Sequence, residues 1–160
     1  CIAQRKKLLS KTVIAIAHKA FWDKIALSLK KDIPDWSIVL TLLEELRDIF
    51  IEIAPKHKLN IKEQLDIDFI KLKIKNKVFD QKQIFDLIIT IIDMIKEYGP
   101  PSQDESIQKW KDNILIYFKD SPEFKIHICI PSILSEIFKR VSNIQKATNL
   151  IKDIIKLRNK

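Results

Sequence analysis

Asp66 and Asp68 are the carboxylates whose spacing most directly raises the question of acid–base catalysis. They lie two residues apart in a segment with helical periodicity, and residues at that spacing point to different faces of a helix. A general acid and a general base must converge on one substrate, so this pair does not predict catalysis. We expect Asp68 to be partly buried and one of the two to fix a contact between helices, with Lys19 or Lys24 as its partner. A contact with a partner protein is the alternative.

The histidines are His18, His57 and His127, and they are the other candidates for catalysis or metal binding. None of them stands at a recognised ligand spacing such as His-x-x-x-His. We expect His18 to stack on Trp22, four residues later, or to form a hydrogen bond in the core. His57 lies between two lysines and is expected to be solvated.

Cys1 and Cys129 are the only cysteines, too few for a disulfide scaffold or a closely spaced zinc site. Cys129 lies among isoleucines and is expected to be a buried thiol in an intracellular, cytoplasmic protein. With no cluster of reactive groups, the sequence predicts no cofactor, no metal and no enzymatic activity.

Basic residues are concentrated at the two ends of the chain, which has a net charge of +8. Residues 1–31 carry +7 and residues 139–160 carry +6, whereas residues 32–138 carry −5. If the two ends packed side by side, they would form one positive face suited to an acidic partner. The alternatives are that the ends lie apart, or that Asp66, Asp68 and neighbouring carboxylates neutralise them.

The last predicted helix, residues 133–157, carries apolar side chains on one side and basic side chains mostly elsewhere. Such a helix can bind calmodulin, an anionic membrane or an acidic protein surface such as a tubulin tail. Packing into a bundle with a solvated basic back is the alternative. An exposed tryptophan would be a further anchor for a partner, since aromatic residues dominate binding hot spots, although burial is the alternative for each tryptophan. The candidate partner-binding residues are Lys139, Arg140, Lys146, Lys152, Lys156 and Trp22.

Helices are expected to position these residues. Gly99 is the only glycine, whereas all-β folds and phosphate-binding loops need several at tight turns. Apolar periodicity and proline positions predict an all-α domain, a single bundle of about six to seven antiparallel helices over residues 1–160. The predicted helices cover residues 8–30, 36–53, 61–76, 81–98, 103–119 and 133–157, with a short segment from Ser121 to Ile130 that could be helical or extended and that Pro131 ends. The predicted N-terminal caps are Asp35, Asn60, Asp80, Ser102 and Ser132.

The burial pattern follows from the same periodicity. The helix over residues 81–98 is apolar around most of its circumference, so we expect it at the centre of the bundle. In the helix over residues 61–76, the side chains predicted to face inward are Ile61, Leu65, Phe69 and Leu72. Charges interrupt every apolar stretch before the roughly 20 residues of a membrane span, which predicts no transmembrane segment.

Several motifs resemble, in the same order, those of the T-complex protein 11 family. They are Ala20–Asp23, Leu42–Leu46, Leu65–Ile70, Val78–Asp80 and Gly99–Glu105. The resemblance covers residues 13–112 and fades after Asn113. Gln103 stands where the family usually has arginine, and Lys73 and Lys75 stand where relatives often have polar or acidic residues. The chain opens on Cys1 rather than Met, so we expect it to be part of a longer chain.

The resemblance implies an all-helical protein without established catalytic chemistry, linked to cyclic AMP–protein kinase A signalling and to the sperm flagellum. The function expected is therefore a non-enzymatic adaptor that binds other proteins, in the cytoplasm or in a cilium or flagellum. The alternative function is binding of nucleic acid or an anionic membrane through the basic ends. Nucleic acid is disfavoured because the basic residues from Lys139 to Lys160 are accompanied almost only by isoleucine, without interleaved aromatic residues.

Overall fold

The computed structural model describes residues 19–120 and 125–159, and within them the chain is all-α with no strand. The helices there are α1 (Lys19–Leu29), α2 (Ser37–Ile53), α3 (Lys58–Gln64), α4 (Ile67–Lys75), α5 (Gln81–Tyr98), α6 (Asp104–Asp120) and α7 (Ile126–Arg158). The all-α prediction is confirmed. Cys1, His18, the predicted helical residues 8–18 and Ser121 lie outside the described residues.

The central helix, α5, begins and ends where the sequence predicts. Asp80 caps it, because its carboxylate Oδ1 accepts a hydrogen bond from the Gln83 backbone N–H at 3.0 Å. Its residues Ile88, Ile91, Ile92 and Ile95 are all buried, with Ile92 and Ile95 fully inaccessible. The predicted place of this helix in the core is confirmed.

Two helices begin at positions that the predicted caps do not explain. α3 follows a 3₁₀ turn at Pro55–His57, and α6 follows another at Pro101–Gln103. In each, proline starts the turn and the chain passes directly into the α-helix, so Asn60 lies inside α3 and Ser102 inside the second turn. The expectation that Asn60 and Ser102 cap these helices is therefore wrong.

A break between α3 and α4 replaces the single helix predicted over residues 61–76. Asp66 is the N-terminal cap of α4, since its Oδ1 accepts a hydrogen bond from the Phe69 backbone N–H at 3.1 Å. The break changes which residues face inward: Ile67 and Ile70 are buried, whereas Phe69 and Leu72 are 54% and 51% exposed. The predicted burial of Phe69 and Leu72 is wrong for this reason.

Because of this break, Asp66 and Asp68 do not have the places predicted for them. Asp66 stabilises the start of its own helix, and Asp68 is exposed in the first turn of α4, where its charge suits the helix dipole. Asp68 is therefore not partly buried as predicted.

Pro131 lies inside α7 and does not end a segment before it. Its missing N–H removes one hydrogen bond near the start of the helix, but its ring is buried and keeps the chain packed there. Ser132 is consequently an exposed residue within α7 and not a cap. α7 is one continuous helix of 33 residues.

The first and last described helices pack against each other. Lys19 and Trp22 at the start of α1 lie beside Lys146, whereas Trp36, beyond the end of α1, lies beside Ile130 in the core. The two helices therefore run antiparallel. Basic residues from both ends of the sequence meet on this side of the bundle.

The remaining aromatic and sulfur-containing residues mostly follow the expectations. Trp36 is buried, and Trp22 and Trp110 are half-buried. Cys129 is buried as predicted, with its Sγ 2.9 Å from the Tyr117 hydroxyl oxygen. His57 is exposed at the end of its 3₁₀ turn, as expected, with its ring 5.5 Å from the ring of Tyr98.

Candidate protein-binding surface

A groove of about 560 Å³ lies between the start of α1 and the middle of α7, and we call it the α1–α7 groove. Three residues selected from the sequence, Trp22, Lys139 and Lys146, line it together. Its other described lining residues are Lys19, Ile49, Ser135, Phe138, Ser142, Asn143 and Gln145.

Helical spacing explains how α7 contributes to the groove. Lys139, Ser142 and Lys146 follow one another at intervals of three and four residues, which places them on one side of the helix. This spacing alone could have grouped Lys139 with Lys146. Lys19 reaches the same groove from α1, and because that depends on helix packing, no local signal in the sequence identifies it.

The groove is positively charged. Lys19, Lys139 and Lys146 contribute to it, and none of its described lining residues is a carboxylate. At its edge, the Gln145 amide Nε2 donates a hydrogen bond to Glu52 Oε2 at 3.0 Å, which ties α7 to α2. The half-buried ring of Trp22 packs edge-on against Phe21, with ring centroids 5.3 Å apart. An anionic group with an apolar neighbour would match this combination of lysine and tryptophan side chains.

Arg140 points to a different side of α7 and joins α7 to α6. Its guanidinium lies 4.5 Å from the ring centroid of Trp110, and its Nε donates a hydrogen bond to Glu136 Oε1 at 2.9 Å. One of its terminal nitrogens also lies 3.4 Å from the hydroxyl of Ser106. The arrangement places Arg140 in the packing of the bundle, away from Lys139 and Lys146.

We expect Arg140→Ala to lower the free energy of unfolding by about 1 kcal/mol, since it removes a cation–π contact and an ion pair within one helix. The neighbouring Lys139→Ala should change it by less than about 0.5 kcal/mol, as for most exposed side chains. Urea denaturation followed by circular dichroism measures both. Equal midpoints for the two variants would contradict a packing role for Arg140.

The end of α7 carries the other two residues selected from the sequence, Lys152 and Lys156. Every residue from 149 to 159 is exposed. Five large apolar side chains there have exposed fractions between 46% and 72%. We call this set the terminal stripe: Leu150, Ile151, Ile154, Ile155 and Leu157.

The apolar pattern predicts one side of the last helix that is formed by Phe138, Val141, Ile144, Ile151, Ile154 and Ile155, but the structure divides this set. Phe138, Val141 and Ile144 are buried, whereas Ile151 and Ile154 are exposed. Among the described residues, the buried side chains of α7 extend as far as Ile144, which meets the end of α5 at Gly99. The terminal stripe therefore has no covering helix among the described residues.

Groups that could perform chemistry do not converge in the described part of the chain. No three histidine, cysteine, aspartate or glutamate side chains lie close enough there to hold a metal ion. Within the same residues, no helix is long and apolar enough to cross a membrane. The arrangement is suited to binding: a positive groove with a tryptophan, continued along α7 by an exposed apolar stripe.

Comparison with known proteins identifies the family that the chain resembles. The family model described as T-complex protein 11 matches residues 3–153, so the similarity continues well beyond Asn113. The T-complex protein 11 homolog of Homo sapiens is 29% identical over 96 residues, which cover 58% of this chain and 18% of that protein. The chain thus spans less than a fifth of the length of this relative. No solved structure matches the chain.

Proposed function

Because the chain belongs to the T-complex protein 11 family, we propose that it is a helical adaptor module that binds other proteins without catalysing a reaction. Its setting in this proposal is a ciliary or flagellar assembly, or a cyclic AMP–protein kinase A signalling assembly. The family resemblance suggests the setting, and the surface of α7 suggests the mode of action.

The observation that carries the proposal is the terminal stripe. Apolar side chains that are scattered singly over a surface are ordinary, but here five large ones follow each other within eight residues of one helix. A contiguous apolar patch flanked by polar residues is typical of a protein-binding surface. The α1–α7 groove lies on the same helix and adds positive charge beside it.

Binding of nucleic acid or of an anionic membrane through the basic residues is the alternative function. The terminal stripe is aliphatic, and aliphatic side chains do not provide the stacking platforms that single-stranded nucleic acids use. Lysines that contact phosphates would also make binding fall steeply with salt. The mixture of isoleucine and lysine at the end of α7 supports a protein partner more strongly.

Affinity capture from extracts of ciliated or flagellated cells tests the proposal. We expect the wild-type chain to retain a reproducible set of axonemal or protein kinase A-associated proteins at about 0.15 M salt, where distant charges are screened. The double variant Ile151→Asp/Ile154→Asp should lose them. The control Asn149→Asp/Asn159→Asp adds the same two charges to exposed positions outside the terminal stripe and should retain them.

Two results would count against the adaptor proposal. One is that mass spectrometry finds the same proteins with the wild type and with the stripe variant. The other is that the material retained in a stripe-dependent way is nucleic acid, and that its binding persists at about 0.15 M salt.

A further inference from the structure

The apolar side chains of α7 shift around the helix along its length. At about 100° per residue, its buried residues from Leu134 to Ile144 fall within an arc of roughly 120°, whereas the terminal stripe spans roughly 160°. The centres of the two arcs lie about a third of a turn apart. The two arcs overlap by about 20°, at Ile144 and Ile155, so the terminal stripe is a face rotated by about a third of a turn from the one that packs into the bundle.

The size and charge of this end restrict what could cover it. The exposed residues 149–158 form a helical segment of about 15 Å, close to three turns. Residues 146–158 contain four basic side chains and one carboxylate, which gives them a net charge of +3. At about 100° per residue, Lys146 lies about 20° outside one edge of the terminal stripe and Lys152 about 60° outside the other, and Arg158 falls within it.

We infer that the end of α7 inserts into the apolar groove of an acidic protein, of the kind that encloses one amphipathic helix between carboxylate-bearing walls. Helix-in-groove recognition uses anchors at spacings of three, four and seven residues. Leu150, Ile154 and Leu157 provide these spacings, and Ile151 and Ile155 widen the same face. Lys146 and Lys152 on either side of this face, and Arg158 within it, would then meet carboxylates of the groove. The inference rests on the proposed function and names the chemistry of the partner.

Other possible partners fit the terminal stripe less well. A second copy of the chain would bring two segments of net charge +3 together, and like charges at close range oppose association. Binding to an anionic membrane would bring residues 32–138 close to its surface. These residues carry a net charge of −5 and would be repelled. A groove-forming protein can enclose residues 149–158 and leave that acidic body in solvent.

Calmodulin is a suitable probe, because its lobes expose a Met-rich apolar groove only when calcium is bound. Isothermal titration calorimetry with the whole 160-residue chain should give a Kd on the order of 10 µM in calcium. Replacing calcium with a chelator should weaken binding at least tenfold. The calcium dependence distinguishes insertion into the groove from attraction between a basic and an acidic protein.

Two variants and a matched control locate the contact. Ile151→Asp/Ile154→Asp should weaken binding at least tenfold, whereas Asn149→Asp/Asn159→Asp should stay within about threefold of the wild type. Lys146→Glu/Lys152→Glu should weaken binding at least tenfold at low salt and should leave the circular dichroism spectrum unchanged, since both lysines are exposed.

The inference is overturned if no calcium-dependent binding occurs at 100 µM calmodulin, or if the stripe variant binds as tightly as the wild type. It is also overturned if the wild type is a dimer that Ile151→Asp/Ile154→Asp converts to a monomer, because a second copy then covers the stripe. Stripe-dependent binding to phosphatidylserine vesicles without binding to calmodulin would assign the face to a membrane. Stripe-dependent capture of cellular proteins without calmodulin binding would overturn this inference alone and leave the adaptor function standing.

Discussion

Ile91→Asp should unfold the protein. Ile91 is 1% exposed in the middle of α5, surrounded by the other buried residues of the core. A carboxylate at this position would be buried without a partner, which costs more than about 4 kcal/mol. Because a whole domain is stable by only about 5–15 kcal/mol, the variant should be insoluble or should lose its cooperative thermal transition in circular dichroism.

A substitution to aspartate at an exposed position of the same helix is the control for burial. Lys82 is exposed in the first turn of α5, and Lys82→Asp should leave the melting temperature nearly unchanged. Ile91→Val, which removes one methylene group, should cost about 0.5–1.5 kcal/mol. A soluble Ile91→Asp variant that melts at the wild-type temperature would show that α5 is not at the centre of the fold.

Gly99→Ala should have the second largest effect, for a steric reason. Gly99 lies directly after α5 with φ −89° and ψ 176°, a conformation that any residue adopts. A Cβ atom there would lie 2.6 Å from the Ile95 carbonyl oxygen and 3.0 Å from Cδ1 of Ile144. We expect a net loss of about 1–2 kcal/mol in the free energy of unfolding, after allowing for the stiffer unfolded chain.

A double-mutant cycle identifies the source of that loss. Ile144→Val removes the Cδ1 methyl that alanine would meet, so the double variant Gly99→Ala/Ile144→Val should be less destabilised than the sum of the two single variants. The Ile95 carbonyl contact remains, so the relief should be partial. Strict additivity, or a Gly99→Ala midpoint equal to that of the wild type, would exclude the close approach of α7 to the end of α5.

The elements predicted correctly from the sequence are those whose ends have local causes. Asp80 accepts a hydrogen bond from Gln83, three residues later, and Pro100 follows Gly99 at the other end of α5. Both signals lie within a few residues of the helix ends that they determine. The bounds and the burial of α5 could therefore be read from the sequence before any packing was known.

The errors arise where a residue type has two possible roles. Asp66 resembles a polar residue on the surface of one long helix, but it starts a new one, because its carboxylate caps Phe69. Pro131 normally predicts a helix end, yet it is accommodated close to the start of α7, where its buried ring packs. The cap at Asp66 is local, but no glycine or proline marks the end of α3 before it, whereas at Pro131 the packing of the buried ring decides.

The candidate surface also has some features that the sequence predicts and others that it does not. Lys139 and Lys146 could be placed on one face of α7 from their spacing alone. The structural role of Arg140 depends on Trp110, and the exposure of Ile151 and Ile154 depends on which of the described helices pack along α7. These are long-range facts, so the sequence predicts an amphipathic helix but not the point at which its apolar side chains leave the core.

The pairing of α1 with α7 has a consequence for synthesis of the chain on the ribosome. α1 ends at Leu29 and α7 begins at Ile126, so roughly 100 residues are added between them, which takes about 5–20 s at ordinary elongation rates. During that interval Ile25 and Leu29, both buried in the finished fold, lack their main packing partner. Until α7 has emerged, the nascent chain therefore exposes the apolar side of α1, a surface to which a chaperone would bind.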